Sequence, residues 1–383
     1  MSEATLTRIN VMKPWLGTDE SDAVAEVIAS GWVAQGPRVA AFEEAFAEQM
    51  QAGEAVATSS CTTALHLALI VAGIRPGDDV VVPSFSFIAT ANAARYVGAT
   101  PVFAEVDAVT GNVTVDTVAD ALTPTTRAVI VVDQGGMPVD LAPIRALCDP
   151  LSIVVIEDAA CGAGSTYAGR PVGAGAELTA WSFHPRKILT TGEGGMLTTS
   201  RPEWAARARR LREHAMSVSA SERHSSLLAP PEVYAEVGFN FRMTDLQAAV
   251  GLVQLAKLPV VVDQRRENVA RYRELLADVP GIRLSTDPEW GTSNFQSFWI
   301  EVLPEFPLDR EGLLAALAAD GISARRGIMA SHRQPAYAGV ARPALPITEH
   351  LTDSTLILPL YHQLEPADIE RVVASIRAAS KGV

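Results

Sequence analysis

The sequence predicts an α/β fold: a large layered domain on a mostly parallel mixed sheet, followed by a smaller C-terminal α+β domain. Two observations carry this. Over the first two-thirds of the 383-residue chain, short β-rich apolar runs alternate with longer helical patterns, as crossover connections require. The runs are also apolar on both faces, which marks strands buried within a sheet rather than at a half-wet surface.

In chain order, strands are expected at Glu54–Thr58, Asp79–Pro83, Thr100–Val106, Ala128–Asp133, Ser152–Ile156 and Thr179–Phe183, with helices such as Thr63–Val71 and Thr90–Val97 between them. From Asp245 to Ala277 the pattern is almost purely helical, with an interruption expected at Pro259, because proline lacks the N–H that an inner turn needs. The domain boundary is placed there, giving residues 1–258 and 259–383. A strand-like run (Gln296–Val302) and two helices (Asp309–Asp320 and Pro366–Ala379) complete the smaller domain.

Composition narrows the function. Apolar residues make up 48% and charged residues 20%, as in an ordinary globular protein. The net charge of −13 argues against nucleic-acid or anionic-membrane partners, which need a basic face. No secretory signal pattern is seen, and the longest unbroken apolar runs are too short for a bilayer. Three cysteines without CxxC spacing fit a reduced, cytoplasmic setting, and seven histidines without an HExxH pair suggest no metal site. Only four lysines occur: Lys13, Lys187, Lys257 and Lys381.

Lys187 stands apart from the other three. It lies between a buried strand and a turn carrying Gly192, Gly194 and Gly195. Glycines allow close backbone approach to a bound group, and desolvation there would lower the lysine pKa and free a nucleophilic amine. A solvated loop lysine is the plainer alternative. Asp158 ends the run LSIVVIED at the same sheet edge, where a carboxylate could keep a pyridine nitrogen protonated, although it would also serve as a helix N-cap. Ser60-Cys61-Thr62-Thr63 follows a strand and opens a helix, which suits a phosphate as well as simple capping. Phosphate turn, acid and amine in this order point to pyridoxal phosphate.

The chain resembles the DegT/StrS family of fold type I pyridoxal-phosphate sugar aminotransferases nearly end to end. The segments that carry the resemblance are SGWVAQGPRVAAFEEAFA, SSCTTALHLAL, VPSFSFIATANAARYVGATPVFAEVD, VIEDAA, SFHPRKILTTGEGGM, GFNFRMTDLQAAVGLVQL and LILPLY. The resemblance implies that Lys187 forms the Schiff base and Asp158 pairs with the pyridinium nitrogen. It implies that Thr62, Thr63 and Ser182 bind the phosphate and that Phe87 stacks on the ring, where core packing is the competing role. Asn240 would reach the phosphate of a neighbouring subunit, which implies a homodimer with shared sites. Arg242 would help neutralise the phosphate or form a surface pair. Three positions depart from the family pattern: Cys61 replaces a glycine, Cys161 a Gln or His that bonds the cofactor's phenolic oxygen, and Asp133 a histidine near the substrate.

The implied reaction is a ping-pong transamination through pyridoxamine 5'-phosphate. Glutamate is the expected donor and a nucleotide-linked 4-keto-6-deoxysugar the expected acceptor, with a 3-keto sugar or keto-cyclitol as alternatives. Arg325, Arg326 and His332 are candidates for substrate anions, with plain surface charge as the other reading. A dinucleotide oxidoreductase fails because the third glycine of its fingerprint would fall at Tyr167. A cofactor-loaded regulatory protein on the same fold is the remaining rival.

Overall fold

The computed structural model describes residues 7–174, 176–218, 231–340 and 344–381. After α1 (Thr18–Ser30) and α2 (Pro37–Gln49) the chain alternates as expected: β1 (Glu54–Thr58), α3 (Cys61–Val71), β2 (Asp79–Pro83), α4 (Ala89–Tyr96), β3 (Thr100–Ala104), α5 (Val115–Ala121), β4 (Thr126–Val132), α6 (Leu141–Cys148) and β5 (Val154–Asp158). Short strands β6 (Thr166–Tyr167) and β7 (Arg170–Pro171) precede β8 (Leu178–Ser182), β9 (Gly195–Thr199) and α7 (Pro202–Leu211). The remainder comprises α8 (Asp245–Leu276), β10 (Ile282–Leu284), β11 (Gly291–Thr292), β12 (Phe298–Val302), α9 (Arg310–Ala319), β13 (Arg325–Arg326), α10 (Pro346–Ser354), β14 (Thr355–Leu358) and α11 (Pro366–Ala379).

The large sheet has seven strands in the order β1-β9-β8-β5-β4-β2-β3, and only β9 runs antiparallel to its neighbours. Its apolar side chains feed cores on both faces: Val56, Ile130 and Ile156 pack with α3 and α4, and Val129, Val131 and Val155 pack with Val118 of α5 and Ile144 of α6. This is why the strands read as continuously apolar. β1, β5 and β8 end at one edge, and β9 starts there, with Gly195 paired to both Thr58 and Ser182. The turns that follow β1, β5 and β8 therefore meet. In a parallel sheet this carboxyl edge is the usual place for a ligand.

The second sheet is antiparallel, in the order β10-β12-β14-β13, and is backed by α9 and α11. Helix α8 corrects one expectation, because it continues through Pro259. Its two halves serve different cores: Ala248, Leu255 and Leu258 pack beneath the large sheet, while Val269, Tyr272 and Leu276 pack on the small one. Anchorage on both sides of the proline holds the helix together despite the missing N–H. The boundary expected at residue 258 thus falls within a helix. One 18-residue window of α8 is also apolar enough to cross a membrane, although no unbroken run is; its buried apolar positions, such as Leu255, Leu258, Val269 and Tyr272, lie in these two cores.

Candidate active site

The first turn of α3 forms one wall. Ser60 caps the helix by accepting from the Thr63 N–H at 3.2 Å, and the Thr63 hydroxyl donates back to the Ser60 carbonyl at 2.8 Å. Thr63 is therefore occupied by the cap, whereas the Thr62 hydroxyl and the Cys61 and Thr62 amides have no partner among the described residues. These amides sit at the positive end of the helix dipole. Gly195 passes directly beneath: a Cβ there would overlap the Ser60–Cys61 peptide. The Ser59 N–H donates to the Phe241 carbonyl at 2.8 Å, which brings the Asn240–Arg242 segment alongside. Arg242 makes no ion pair among the described residues, and Asn240 is exposed. Amides, a hydroxyl and an uncommitted guanidinium around a backbone cradle fit a phosphate.

Asp158, 4% exposed, ends β5. Its Oδ2 accepts from Thr90 Oγ1 at 2.8 Å, and its Oδ1 accepts from the Ala160 N–H at 3.2 Å and from Cys61 Sγ at 3.8 Å. Burial pushes this carboxyl above its ordinary range, and these hydrogen bonds and the charge of Lys187 oppose it. Sequence reasoning missed Thr90, which is itself hydrogen-bonded to Ser86 at 2.9 Å. An apolar face on a helix start was the only local signal for it.

Lys187 lies in the β8–β9 connection, and its Nζ donates to Cys161 Sγ at 3.1 Å. The residue is half-buried. Desolvation works to lower its pKa, as expected from sequence, but Cys161, Cys61 and Asp158 outweigh that effect and the net shift is upward. The expected direction is thereby corrected. Cys61 is shifted well upward by burial and by the Asp158 charge, so it remains a thiol. The connection is held from outside: Gln247 Nε2 donates to the Glu193 carbonyl at 2.7 Å, and Gln296 Nε2 donates to the Arg186 carbonyl at 2.9 Å.

The other expected residues divide. Ser182 ends β8 beside Gly195, so it borders the same cradle. Phe87, two residues before α4, is 65% exposed, which rules out core packing and leaves its face open. Arg326 forms an exposed pair with Glu311, with Nε to Oε1 at 2.8 Å. Its neighbour Arg325 feels the charge of Arg186, next to Lys187. The expectation for His332 is corrected. It is 3% exposed, with Nδ1 2.6 Å from Ser84 Oγ and Nε2 3.1 Å from Glu349 Oε1, so neither ring nitrogen is left for a substrate. Asp133 does not face a substrate either, because it is fully buried. Its Oδ1 accepts from the Val139 N–H at 3.0 Å, and its Oδ2 has no hydrogen-bond partner among the described residues. Burial raises this carboxyl well above its usual range, and the nearby Glu157 and Asp158 raise it further. Glu157 itself is pushed up by burial to about 7. Among the described residues no cluster of metal-ligand type occurs.

The model of the DegT/DnrJ/EryC1/StrS aminotransferase family matches residues 14–377. The chain is 39% identical over 377 residues to a dTDP-4-dehydro-2,3,6-trideoxy-D-glucose 4-aminotransferase of Saccharopolyspora spinosa, covering 97% of this chain and 96% of that protein. It is similar in structure to the aminotransferase TlmJ of Streptoalloteichus hindustanus, at 38% identity and a TM-score of 0.90 over 98% of this chain and 99% of that one. A putative sugar aminotransferase of Streptococcus pneumoniae, Spr1654 in its PLP form, superposes with a TM-score of 0.91 at 26% identity, over 98% of this chain and 99% of that one. With fold and sequence in agreement over residues 14–377, the chain belongs to the DegT/DnrJ/EryC1/StrS aminotransferase family.

Proposed function

We propose that the protein is a pyridoxal-phosphate-dependent aminotransferase that moves an amino group from glutamate to a nucleotide-linked keto sugar, with a 4-keto-6-deoxysugar as the acceptor class. One observation carries the reading: Lys187, Asp158 and the first turn of α3, whose Cys61 and Thr62 amides have no partner among the described residues, converge on one sheet edge. The Saccharopolyspora spinosa relative, named for a 4-dehydro trideoxyglucose, supports the acceptor class. The PLP form of Spr1654 supports the cofactor.

The residues fit that cofactor. The Cys61 and Thr62 amides, the Thr62 hydroxyl, Ser182 and Arg242 would hold its phosphate, Asp158 its ring nitrogen, and Phe87 one ring face. When bound, pyridoxal phosphate supplies an electron sink for the carbon that bears the transferred nitrogen. Lys187 Nζ would anchor the cofactor and, when free, would take the donor's Cα proton as general base and return it as general acid. Asp158 remains anionic to keep the ring nitrogen protonated, and Thr90 holds it in orientation. Asn240, exposed beside the phosphate turn, is assigned to the neighbouring subunit's site in a homodimer. The three free cysteines suit a reducing cytoplasm. The two cores support a large unit of residues 1–258 and a small unit of 259–383 that share α8.

The purified protein loaded with pyridoxal phosphate is expected to be yellow, to bleach on addition of glutamate, and to do neither as Lys187→Ala. Supplying a nucleotide-linked 4-keto-6-deoxysugar to the bleached form is expected to restore the colour and yield an aminated sugar by mass spectrometry. A colourless protein that cannot be loaded, or a coloured one inert to every amino donor, would overturn this reading.

A further inference from the structure

β13 lies at the edge of the small sheet, and its two residues point to opposite faces, as successive residues of a strand must. Arg326 is in register with Leu356, which packs in the core beneath α9 and α11, and its guanidinium meets Glu311 of α9. Arg325 is in register with Ile357 and therefore takes the other face. That face looks at the large sheet. Ile357, Trp299 and Gly327, two residues beyond Arg325, line a small cavity together with Phe85, Gln134 and Gly135. Phe85 follows β2 and Gln134 follows β4, so this cavity sits at the carboxyl edge of the large sheet, as Lys187 does. The Gly327 N–H donates to the Thr355 carbonyl at 2.9 Å, which fixes the end of β13.

A second guanidinium belongs to the lysine loop itself. Arg186 precedes Lys187, and its backbone is held: the N–H donates to His184 Nδ1 at 3.2 Å, and the carbonyl accepts from Gln296 Nε2 at 2.9 Å. Gln296 leads into β12, the strand that carries Trp299, so the loop is tied to the small-sheet face that bears Arg325. The two guanidiniums feel each other. Partial burial and then the Arg186 charge hold Arg325 below the usual arginine range. Neither side chain forms a hydrogen bond or an ion pair among the described residues. The acid nearest to Arg186 in sequence, Glu193, lies against His184 instead, at 3.9 Å. In a chain with 44 acidic residues against 31 basic ones, carboxylates are plentiful, yet this pair has none and its like charges repel. A ligand with two anionic groups removes that repulsion, and the planar fork of arginine suits phosphate oxygens.

We propose that Arg186 and Arg325 form the diphosphate site for the sugar acceptor, one guanidinium from the lysine loop and one from the small sheet. The assignment rests on the nucleotide-sugar reading above and names the residues that hold the nucleotide half. The chemistry favours a diphosphate over the donor's carboxylates. In a nucleotide-linked 4-keto sugar the diphosphate is attached across the ring from the keto carbon, so it stays at the mouth when that carbon lies beside Lys187. The α-carboxylate of glutamate is attached to the reacting carbon itself, so its partner belongs beside the half-buried Lys187, whereas Arg186 and Arg325 are both exposed. The side-chain carboxylate of glutamate offers one anionic group where two cations wait.

The test uses the full-length protein as wild type, Arg186→Gln, Arg325→Gln and Arg377→Gln, the last removing an exposed arginine of α11 that pairs with Asp278. The first readout is calorimetric titration of the pyridoxal-phosphate-loaded protein with the diphosphates of thymidine, uridine and guanosine, each alone. Wild type is expected to bind at least one of them. Arg186→Gln and Arg325→Gln are each expected to bind it about tenfold or more weakly, and Arg377→Gln to match wild type. The second readout is the glutamate concentration that half-bleaches the loaded protein, expected to stay within about threefold of wild type in both variants, because exposed charges at a distance are screened. Wild-type diphosphate affinity in either variant would overturn the proposal, as would wild type that binds none of the three. Loss of bleaching with diphosphate affinity intact would also overturn it and give the pair to the donor's carboxylates. If wild type cannot be loaded with pyridoxal phosphate, the cofactor reading fails instead, and the same titrations on unloaded protein still decide whether Arg186 and Arg325 hold a diphosphate.

Discussion

Thr90→Val tests the support of the acid. Thr90 Oγ1 donates to Asp158 Oδ2 at 2.8 Å, and the two residues are 1% and 4% exposed, so no bulk water replaces the bond. Valine has nearly the same shape and no donor. A hydrogen bond to a charged group contributes about 1.5–3 kcal/mol, roughly a ten- to hundredfold change in an equilibrium constant. Burial already pushes the Asp158 carboxyl up, and this bond is the first of the effects that oppose it. Without it the pKa rises further, so the anion that would hold a protonated ring nitrogen is lost at higher pH. Titration of apoprotein with pyridoxal phosphate, followed by absorbance, is expected to show a Kd about ten- to a hundredfold weaker in Thr90→Val, with the acid limb of the affinity profile displaced upward in pH. Thr90→Ser keeps the hydroxyl and is expected to stay within about threefold of wild type. A wild-type Kd and profile in Thr90→Val would refute the assignment. An equal loss in both variants would show that the methyl group's packing matters and the hydroxyl does not.

Two further perturbations address the frame around the site. Gly195→Ala places a Cβ against the Ser60–Cys61 backbone; cofactor affinity is expected to fall at least about tenfold and stability by about 1–3 kcal/mol, measured by titration and denaturant unfolding, because neither strand nor helix start can yield. Glu157→Gln concerns pH. Burial raises Glu157 from 4.5 to about 7, so below 4.5 both folded and unfolded chains hold the proton, and between these values only the folded chain does. Stability of the apoprotein therefore falls as pH rises through that window and levels off above it, by about 3 kcal/mol at most. Glu157→Gln is expected to shrink that slope in unfolding curves taken from pH 4.5 to 8, leaving what the raised Asp133 and Asp158 carboxyls contribute, and an unchanged slope would place the titration elsewhere.

Much of the architecture was legible because its causes are local. The runs at Glu54–Thr58 and Asp79–Pro83 match the observed strands residue for residue, since buried parallel strands leave an unbroken apolar signature. Asp158 could be placed at the sheet edge because it terminates such a run, and Lys187 because glycines follow it. Pro259 misled for the same reason: the local rule is sound, but contacts with two cores override it. His332 misled because polarity reads as exposure, whereas Ser84 and Glu349 satisfy both of its nitrogens in the interior.

The residues that remained illegible are those whose partners lie far along the chain. Asn294 and Gln296 sit in an unremarkable stretch between two short strands, yet Asn294 holds the Cys161 turn across 133 residues and Gln296 holds the Arg186 carbonyl across 110. Both immediately precede β12 and so are anchored to the small sheet. The same segment takes three hydrogen bonds from the buried Arg265 of α8: Nε and Nη2 to the Phe295 carbonyl, and Nη2 to that of Gln296. The small sheet is thus mechanically joined to the two turns that present sulfur and amine to each other, and α8 joins it to the large core. Residues 294–296 therefore link the docking of the two sheets to the spacing of Cys161 and Lys187. The 3.1 Å separation of Lys187 Nζ and Cys161 Sγ is therefore set by the docking of the two sheets as much as by the loop that carries the lysine.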